Sequence, residues 1–374
     1  MPHIAVNTRL LLPHRTEGIS RFAYELLSRV ASDHPEVTFT YFFDRPYDPV
    51  YLTSDNIRAE VLFPPARHPV LWHAWFHWRI RNRLSSLKPD LFYSPELYLS
   101  LNQTIPEIAT FHDLAYEQFP DDLKGWAGRY VRKFSPRYAH HAREILTVSE
   151  FTRQELVQRY GVSQDKIHVV HNSAGQQFHP IEESSKTAIR HRFTNGKPYL
   201  HFVGTIQPRK NLVNLLKAYD SYRSSGGKEV ALLLVGRPGW NYQAALETYE
   251  SLRYKEDVIF SGYVSDLELN EVYAASEGLV YVPWLEGFGI PVVEAFRAEV
   301  PVITSNTSSL PEVAGDAALL VDPGNPHQIA MAMGQLLEDT QLRSRLIVSG
   351  IVQREKFSWQ KSARTLWNVL NRYL

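Results

Sequence analysis

The chain of 374 residues contains no cysteine. Disulfide bridges and thiolate metal sites are therefore excluded, and nothing indicates a small secreted fold held by bridges. The chain also has no net charge, because 40 lysines and arginines balance 40 aspartates and glutamates. This balance argues against a nucleic-acid-binding surface spread over the whole protein, so any basic site must be local.

Long apolar runs and several nucleotide-binding motifs are missing as well. No window of about 18 apolar residues could span a membrane, and the N-terminus lacks the basic and apolar regions of a signal peptide. We therefore expect a cytoplasmic enzyme. The Walker sequence and the Gly-x-Gly-x-x-Gly fingerprint do not occur. Because no Asp-x-Asp pair is present to hold a divalent ion, we expect no metal site. We also expect no cofactor.

Strand and helix patterns alternate along two halves of the chain. The length suits two domains of roughly 150 to 200 residues each. The alternation runs from residue 3 to about 170 and restarts at residue 199, and we interpret the polar segment 176–196 as the linker. The sequence predicts an α/β protein with two doubly wound domains, residues 1–175 and 176–357, followed by an amphipathic helix over 358–374.

A strand-to-helix turn at residues 286–294 is the most informative segment. An apolar strand over 278–283 precedes it, and Pro291 is typical of the first residue of a helix. Gly287 and Gly289 lack a Cβ atom, so backbone amides can approach a ligand near the partly positive helix N-terminus. The turn therefore suits an anionic or hydroxyl-rich ligand.

Two carboxylates flank this turn. Glu286 is predicted at the mouth of the loop and Glu294 in the first helical turn, so the two acceptors address different parts of one ligand. Ordinary helix-start chemistry would use the same residues and stays an alternative explanation.

Two further polar groups follow predicted strands. Arg209 and Lys210 precede the helix over 212–222, where cations above helix amides would bind a diphosphate. His112 follows the strand over 107–111, at the ligand-binding edge of a parallel sheet. A solvated surface for the cations and a turn closed by the His112-Asp113 pair are the structural alternatives.

The segment from Glu286 to Glu294 resembles the Glu-x7-Glu motif of the family-4 retaining glycosyltransferases, whose GT-B fold has two Rossmann-like domains facing a central cleft. The resemblance covers nearly the whole chain. It implies that Glu286 lies beside the donor sugar and that Glu294 holds the ribose hydroxyls. The intervening donor-binding residues are Gly287, Phe288, Gly289 and Ile290.

The resemblance also implies roles elsewhere. His112 would contact the donor sugar, and the final helix would cross back to the first domain. The loop from Gly204 resembles the family's phosphate loop, with Thr205 where many members have arginine, so Arg209 and Lys210 would neutralise the diphosphate. The remaining donor contacts are Gly18, near the diphosphate, and Tyr263 and Val264, whose backbone would pack on the base.

The implied activity is a retaining, metal-independent hexosyl transfer from a nucleotide diphosphate sugar to a glycan or lipid-linked acceptor in bacterial polysaccharide or lipopolysaccharide synthesis. GDP-mannose is the first donor expected, and UDP-sugars remain open. A nucleotide-sugar epimerase or hydrolase on the same fold, or a non-catalytic scaffold descended from a transferase, is the alternative.

A helix predicted over 70–87 combines aromatic and basic residues. Such a helix can rest on an anionic membrane surface. It can equally cover the sheet with its tryptophans in the core. The residues concerned are Trp72, Trp75, Trp78, Arg79, Arg81 and Arg83.

Overall fold

A computed structural model of the chain describes residues 1–12, 18–66, 68–102, 104–123 and 125–374. The chain forms two compact units. Unit 1 comprises Met1–Asn172 together with Trp359–Leu374, and unit 2 comprises Ser173–Ser358. The predicted domain limits at 175 and 357 lie within three residues of these divisions.

Unit 1 is built on a parallel sheet. Its strands are β1 (His3–Asn7), β2 (Thr38–Phe43), β3 (Ile57–Val61), β4 (Leu91–Ser94), β5 (Glu107–Phe111), β6 (Glu144–Thr147) and β7 (Ile167–Val169). They pair in the order β3-β2-β1-β4-β5-β6-β7. The strands are continuous apolar runs because helices cover both faces of such a sheet. The direction of winding reverses between β1 and β4, which makes this point the switch point of the unit.

Helices connect these strands. They are α1 (Ile19–Asp33), α2 (Pro69–Ala74), α3 (Arg81–Leu87), α4 (Ala115–Gln118), α5 (Gly125–His141) and α6 (Glu150–Tyr160). Ser149 caps α6, as its sequence predicts, because its Oγ accepts a hydrogen bond of 3.1 Å from the Thr152 backbone N–H.

Unit 2 repeats this architecture. Its strands are β8 (Tyr199–Val203), β9 (Ala231–Val235), β10 (Val258–Gly262), β11 (Gly278–Tyr281), β12 (Val302–Ser305) and β13 (Ala318–Val321). All are parallel, in the order β10-β9-β8-β11-β12-β13, so winding reverses between β8 and β11. Its helices are α7 (Glu183–Thr194), α8 (Leu212–Ser224), α9 (Gln243–Ser251), α10 (Asp266–Ala274), α11 (Ile290–Arg297), α12 (Leu310–Ala314), α13 (Pro326–Glu338) and α14 (Thr340–Arg354). The predicted fold class is confirmed.

The linker prediction for residues 176–196 is wrong. Most of this segment is α7, and its Ile189 is buried in the unit 2 core. The polar residues are the solvent face of an amphipathic helix. The pair Asn195-Gly196 ends that helix, since Asn195 adopts a left-handed φ of 53° and its N–H donates to the Arg190 carbonyl.

The helix predicted over 70–87 contains a π-helical turn, Trp75–Ile80, between α2 and α3. A π turn holds more residues than an α turn and therefore shifts the helical register. Trp75 is fully buried and its Nε1 donates to the Leu62 carbonyl at 2.6 Å. Trp78 is 71% exposed. The prediction that the tryptophans of this helix belong to the core is therefore confirmed for Trp75 and wrong for Trp78.

The last helix, α15 (Trp359–Leu370), belongs to unit 1 and packs against α1. Trp359 meets Phe22 edge-on, and Trp367 stacks on His34 with ring centroids 3.5 Å apart. A short 3-10 turn over Asn371–Tyr373 follows α15, so the regular helix ends earlier than predicted.

The contrast between the two tryptophans gives a stability test. Trp75→Ala should lower the free energy of unfolding by about 3–5 kcal/mol, because it opens a core cavity and removes a buried hydrogen bond. Trp78→Ala should change it by less than about 0.5 kcal/mol. Urea denaturation followed by circular dichroism measures both, and equal losses would contradict the assignment.

Candidate functional site

A buried carboxylate and two cations meet at the switch point of unit 2. The loops after β8 and β11 lie side by side because these strands are neighbours. The Lys210 Nζ donates to Glu286 Oε1 at 2.5 Å and to the Tyr281 hydroxyl at 2.6 Å. The Arg209 guanidinium lies 3.3 Å from the same carboxylate oxygen and donates to the Leu285 carbonyl at 2.6 Å. Three of the four predicted catalytic residues therefore form one cluster.

Backbone contacts hold the two loops together. Lys210 ends a 3-10 turn, and Asn211 reverses the chain with a left-handed φ of 60°. The Asn211 amide donates to the carbonyls of Val282 and Pro323 at 2.9 and 2.8 Å. The Trp284 N–H donates to the Arg209 carbonyl at 3.0 Å. Both cations are thereby positioned by neighbouring backbone rather than left on flexible loops.

The glycine turn is fixed by two serines that the sequence analysis did not identify as site residues. Ser308 Oγ accepts from the Glu286 N–H at 3.1 Å, and Ser309 Oγ contacts the carbonyls of Glu286 and Phe288, each at 2.9 Å. Gly289 has a φ of 102°, and an added Cβ would lie 2.5 Å from Leu310. The turn needs glycine there. The sequence does contain a signal for these two residues, because paired serines directly before a helix, here α12, are typical of side chains that hydrogen-bond to nearby backbone.

The helix start differs slightly from the prediction. α11 begins at Ile290, so Pro291 is its second residue and Glu294 lies in the second turn rather than the first. Glu294 is buried, and its Oε2 accepts from the Tyr273 hydroxyl at 2.9 Å. Glu294 and Glu286 thus have different hydrogen-bond partners.

The electrostatics of the cluster keep Glu286 ionised. Burial raises the pKa of this carboxyl, but the charges of Lys210 and Arg209, with hydrogen bonds from Lys210 and Tyr281, outweigh burial and lower the pKa below its ordinary value of 4.5. The pKa of Tyr281 is raised well above its ordinary value by burial and by the charge of Glu286. The cluster at neutral pH is two cations, one carboxylate and a neutral phenol.

The other predicted donor-binding residues of unit 2 lie in the neighbouring loops. Gly204 has a φ of 148° and its N–H donates to the Val235 carbonyl, while Thr205 is exposed. Tyr263 is 51% exposed at the end of β10, whereas the Val264 side chain is buried in the core. Only the backbone of Val264 can contact a ligand.

Unit 1 holds the remaining predicted residues. His112 follows β5, and its Nε2 donates to the Pro95 carbonyl at 2.8 Å. Burial lowers the pKa of His112, so the ring is neutral and Nδ1 is an acceptor. Asp113 does not orient His112, because its carboxylate accepts from the Ala115 N–H instead. Gly18 precedes α1 with a φ of 53°, and the loop before it, residues 13–17, lies outside the described residues.

The described residues contain neither a cluster of metal ligands nor a membrane-spanning helix. In the described part of the chain, no three His, Asp or Glu side chains group so as to hold a metal ion. No helix among the described residues combines the length and apolar character needed to cross a bilayer.

Two family models match the chain: Glycosyltransferase Family 4 over residues 16–174 and Glycosyl transferases group 1 over residues 184–352. O-antigen chain mannosyltransferase B of Escherichia coli is 30% identical over 355 residues, covering 92% of this chain and 93% of the relative. O-antigen chain mannosyltransferase RfbU of Salmonella typhimurium is 27% identical over 278 residues, covering 73% of this chain and 72% of the relative.

Solved structures give the same fold. Sucrose-phosphate synthase from Thermosynechococcus elongatus superposes with a TM-score of 0.79 at 17% identity, over 100% of this chain and 99% of that structure. HepE of Anabaena, solved with UDP-glucose, superposes with a TM-score of 0.77 at 15% identity, over 99% of both chains. Two doubly wound parallel-sheet units of this kind make up the GT-B fold. Within that class, the chain belongs to family 4, the group 1 glycosyltransferases.

The ionised Glu286 predicts a pH-dependent contribution to stability. Because the folded-state pKa lies below the unfolded value, the contribution is fully present above that value and is lost as pH falls through the folded pKa. Glu286→Gln should therefore be less stable than the parent at pH 7, and the difference should shrink as the pH falls below 4.5. Thermal unfolding of both proteins from pH 7 to pH 3 measures it; a constant difference would exclude the ion pair.

Proposed function

We propose that this glycosyltransferase moves a hexose, in the first instance mannose, from a nucleotide diphosphate sugar to a glycan or lipid-linked acceptor in O-antigen or related polysaccharide synthesis. The observation that carries the proposal is the cluster of Lys210, Arg209 and Glu286 at the switch point of unit 2. Cations held in place beside a strand-to-helix turn are suited to a diphosphate, and a carboxylate beside them is suited to sugar hydroxyls.

The donor and acceptor are proposed from the relatives' names. The two O-antigen enzymes are named mannosyltransferases, which favours a mannosyl donor and a saccharide acceptor, and we propose GDP-mannose as that donor. HepE was solved with UDP-glucose, so a UDP-hexose is the second candidate donor.

The proposed mechanism retains the anomeric configuration. The bond between the anomeric carbon and the diphosphate breaks while the acceptor oxygen bonds to that carbon from the same face. The departing phosphate oxygen takes the acceptor's proton. Lys210 and Arg209 stabilise the charge that develops on this leaving group, so we propose that no metal ion is required. Glu286 would accept hydrogen bonds from donor hydroxyls, and the neutral His112 would accept one at Nδ1.

The cluster also helps to distinguish a transferase from the alternative functions, which are a non-catalytic scaffold and an epimerase or hydrolase. A scaffold has no need of a buried carboxylate held ionised by two cations, so the intact cluster disfavours it. An epimerase or a hydrolase remains testable, because neither would need an added saccharide acceptor to consume the nucleotide sugar.

A product assay tests the proposal directly. The protein is incubated with GDP-mannose or UDP-glucose, with and without a mannose-containing oligosaccharide acceptor and with and without EDTA. Proton NMR should show acceptor-dependent transfer with the donor's own anomeric configuration, unchanged by EDTA. Mass spectrometry without acceptor should show no sugar adduct. An inverted product, an adduct on Glu286 or a requirement for metal would each overturn the corresponding step.

Lys210→Ala tests the leaving-group role. Loss of one preorganised electrostatic donor should raise the barrier in kcat/KM by about 2–4 kcal/mol. Lys217→Ala is the matched control, because Lys217 is exposed on α8 and lies outside the cluster. Steady-state kinetics of both variants decide the matter, and similar rates for the two would remove Lys210 from the mechanism.

We also propose that unit 1 contacts an anionic membrane surface. From Pro69 to Leu87 and along α5 the chain carries seven lysines and arginines and no carboxylate, although the whole protein is neutral. The two stretches pack together, with His77 against Phe134 and its Nε2 2.9 Å from the Tyr138 hydroxyl. Burial and the charges of His73, Arg81 and Arg137 lower the pKa of His77 to about 4. Burial is the largest cause of this lowering, and the neighbouring positive charges add to it.

We call the exposed tryptophans, lysines and arginines of these two stretches the basic face. Its members are Trp78, Arg79, Arg81, Trp126, Arg129, Lys133 and Arg137. Arg83, which the sequence analysis grouped with Arg79 and Arg81, instead forms a bidentate ion pair with Glu60 at 2.6 Å. Exposed tryptophans beside cations are typical of side chains that settle at a lipid headgroup layer.

Vesicle sedimentation tests the basic face. The parent should bind vesicles containing phosphatidylglycerol, and Arg79→Ala with Arg81→Ala should weaken binding, because each cation near an anionic surface contributes about 1 kcal/mol. Lys361→Ala with Arg364→Ala removes the same charge from α15 and serves as the control. Binding that is absent in the parent, or equally weakened by both double variants, would refute the membrane contact.

A further inference from the structure

Arg237 and Tyr263, both exposed, meet just beyond the ends of β9 and β10. The Arg237 guanidinium lies 4.2 Å from the centroid of the Tyr263 ring. Tyr263 is 51% exposed, and Trp240, on the same loop as Arg237, is 47% exposed. In the part of the chain that the structure describes, Arg237 forms no ion pair with a carboxylate. The mechanism proposed above uses none of these three side chains.

The loop of Arg237 is joined to the loop that leads to Lys210. The Ile206 N–H donates to the Arg237 carbonyl and the Gly239 N–H donates to the Ile206 carbonyl, each at 2.9 Å. Gly236 packs so closely that an added Cβ would lie 2.0 Å from the Gly204 carbonyl oxygen. The backbone of Arg237 is therefore fixed against the loop that leads to the cations proposed to hold the diphosphate.

We infer that Arg237, supported by Tyr263, reads the base of the donor and selects a guanine nucleotide. The inference rests on the proposed function, because it assumes that a nucleoside diphosphate occupies the neighbouring cluster. It assigns the choice of base to a side chain, whereas the family resemblance implies only backbone contacts from Tyr263 and Val264.

The chemistry of the guanidinium favours guanine. A stacked arginine presents a planar fork of N–H donors whose direction is already set. Guanine offers two adjacent acceptors, O6 and N7, and accepts both donors of the fork. Adenine places an N–H donor beside its N7, and uracil separates its two carbonyl acceptors by an N–H group. A bidentate contact is therefore available to guanine and is missing for the other two bases.

Titration calorimetry on the full chain with GDP, UDP and ADP tests the inference. The parent should bind GDP more tightly than UDP and ADP by at least about fivefold, the lower range for one bidentate base contact. Arg237→Ala should reduce GDP affinity by a similar factor and leave UDP affinity unchanged. Arg237→Lys should behave like Arg237→Ala, because an ammonium cannot form the fork. Tyr263→Phe should keep the preference and Tyr263→Ala should reduce it.

Arg253→Ala is the matched control. Arg253 also lies over a tyrosine, Tyr254, but precedes β10 and so sits at the opposite edge of the sheet. Its loss should leave every affinity unchanged. Equal GDP and UDP affinities in the parent, or equal losses of both in Arg237→Ala, would overturn the base assignment while leaving glycosyl transfer intact. Failure to bind any nucleoside diphosphate would overturn the proposed function itself.

Discussion

The unit 2 site depends on one interaction, the hydrogen-bonded ion pair between Lys210 and Glu286. Removing a carboxylate from water costs several kcal/mol unless charges and donors surround it. Here Lys210, Arg209 and Tyr281 supply them, and only while the loops after β8 and β11 keep their positions. The amide of Asn211 and the hydroxyl of Ser309 hold those positions. The buried charge of Glu286 is therefore stable only while the two loops keep their geometry, and the loops are in turn held together by the contacts of that charge.

Unit 1 uses the same device at its own switch point. Arg9 follows β1 and Glu96 follows β4, and the guanidinium donates to both carboxylate oxygens at 2.5 and 2.6 Å. The aromatic rings of Trp72, Phe76 and Tyr98 lie over Arg9, which also donates to the Ala66 carbonyl. All the donor nitrogens of Arg9 are thus engaged within the protein. This pair serves to hold the crossover, whereas the pair in unit 2 lies beside the glycine turn of residues 286–289, which is itself buried.

The sequence predicted what depends on local pattern. Buried parallel strands are continuous apolar runs, so their positions and the doubly wound fold were predictable, as was the glycine turn at 286–294. The direct pairing of Lys210 with Glu286 joins positions 76 residues apart and follows only from strand order. The α7 helix was mistaken for a linker because its buried side is narrow. The π turn has no sequence signal, so the burial of Trp75 and the exposure of Trp78 could not be predicted and are seen only in the structure.

The pairing also bears on how a diphosphate is held and released. Arg209 and Lys210 carry two positive charges and Glu286 one negative charge, so the cluster keeps a net charge of about +1 at neutral pH. Under the proposed function, the diphosphate becomes more negative as it loses the sugar, so these cations would interact more strongly with the transition state than with the intact donor. Such a gain in the transition state is what lowers the barrier. Glu286 would moderate the binding of the product, because by sharing Lys210 it leaves the diphosphate without two uncompensated cations. In this proposal a carboxylate at this position aligns the lysine and limits how tightly the product is retained.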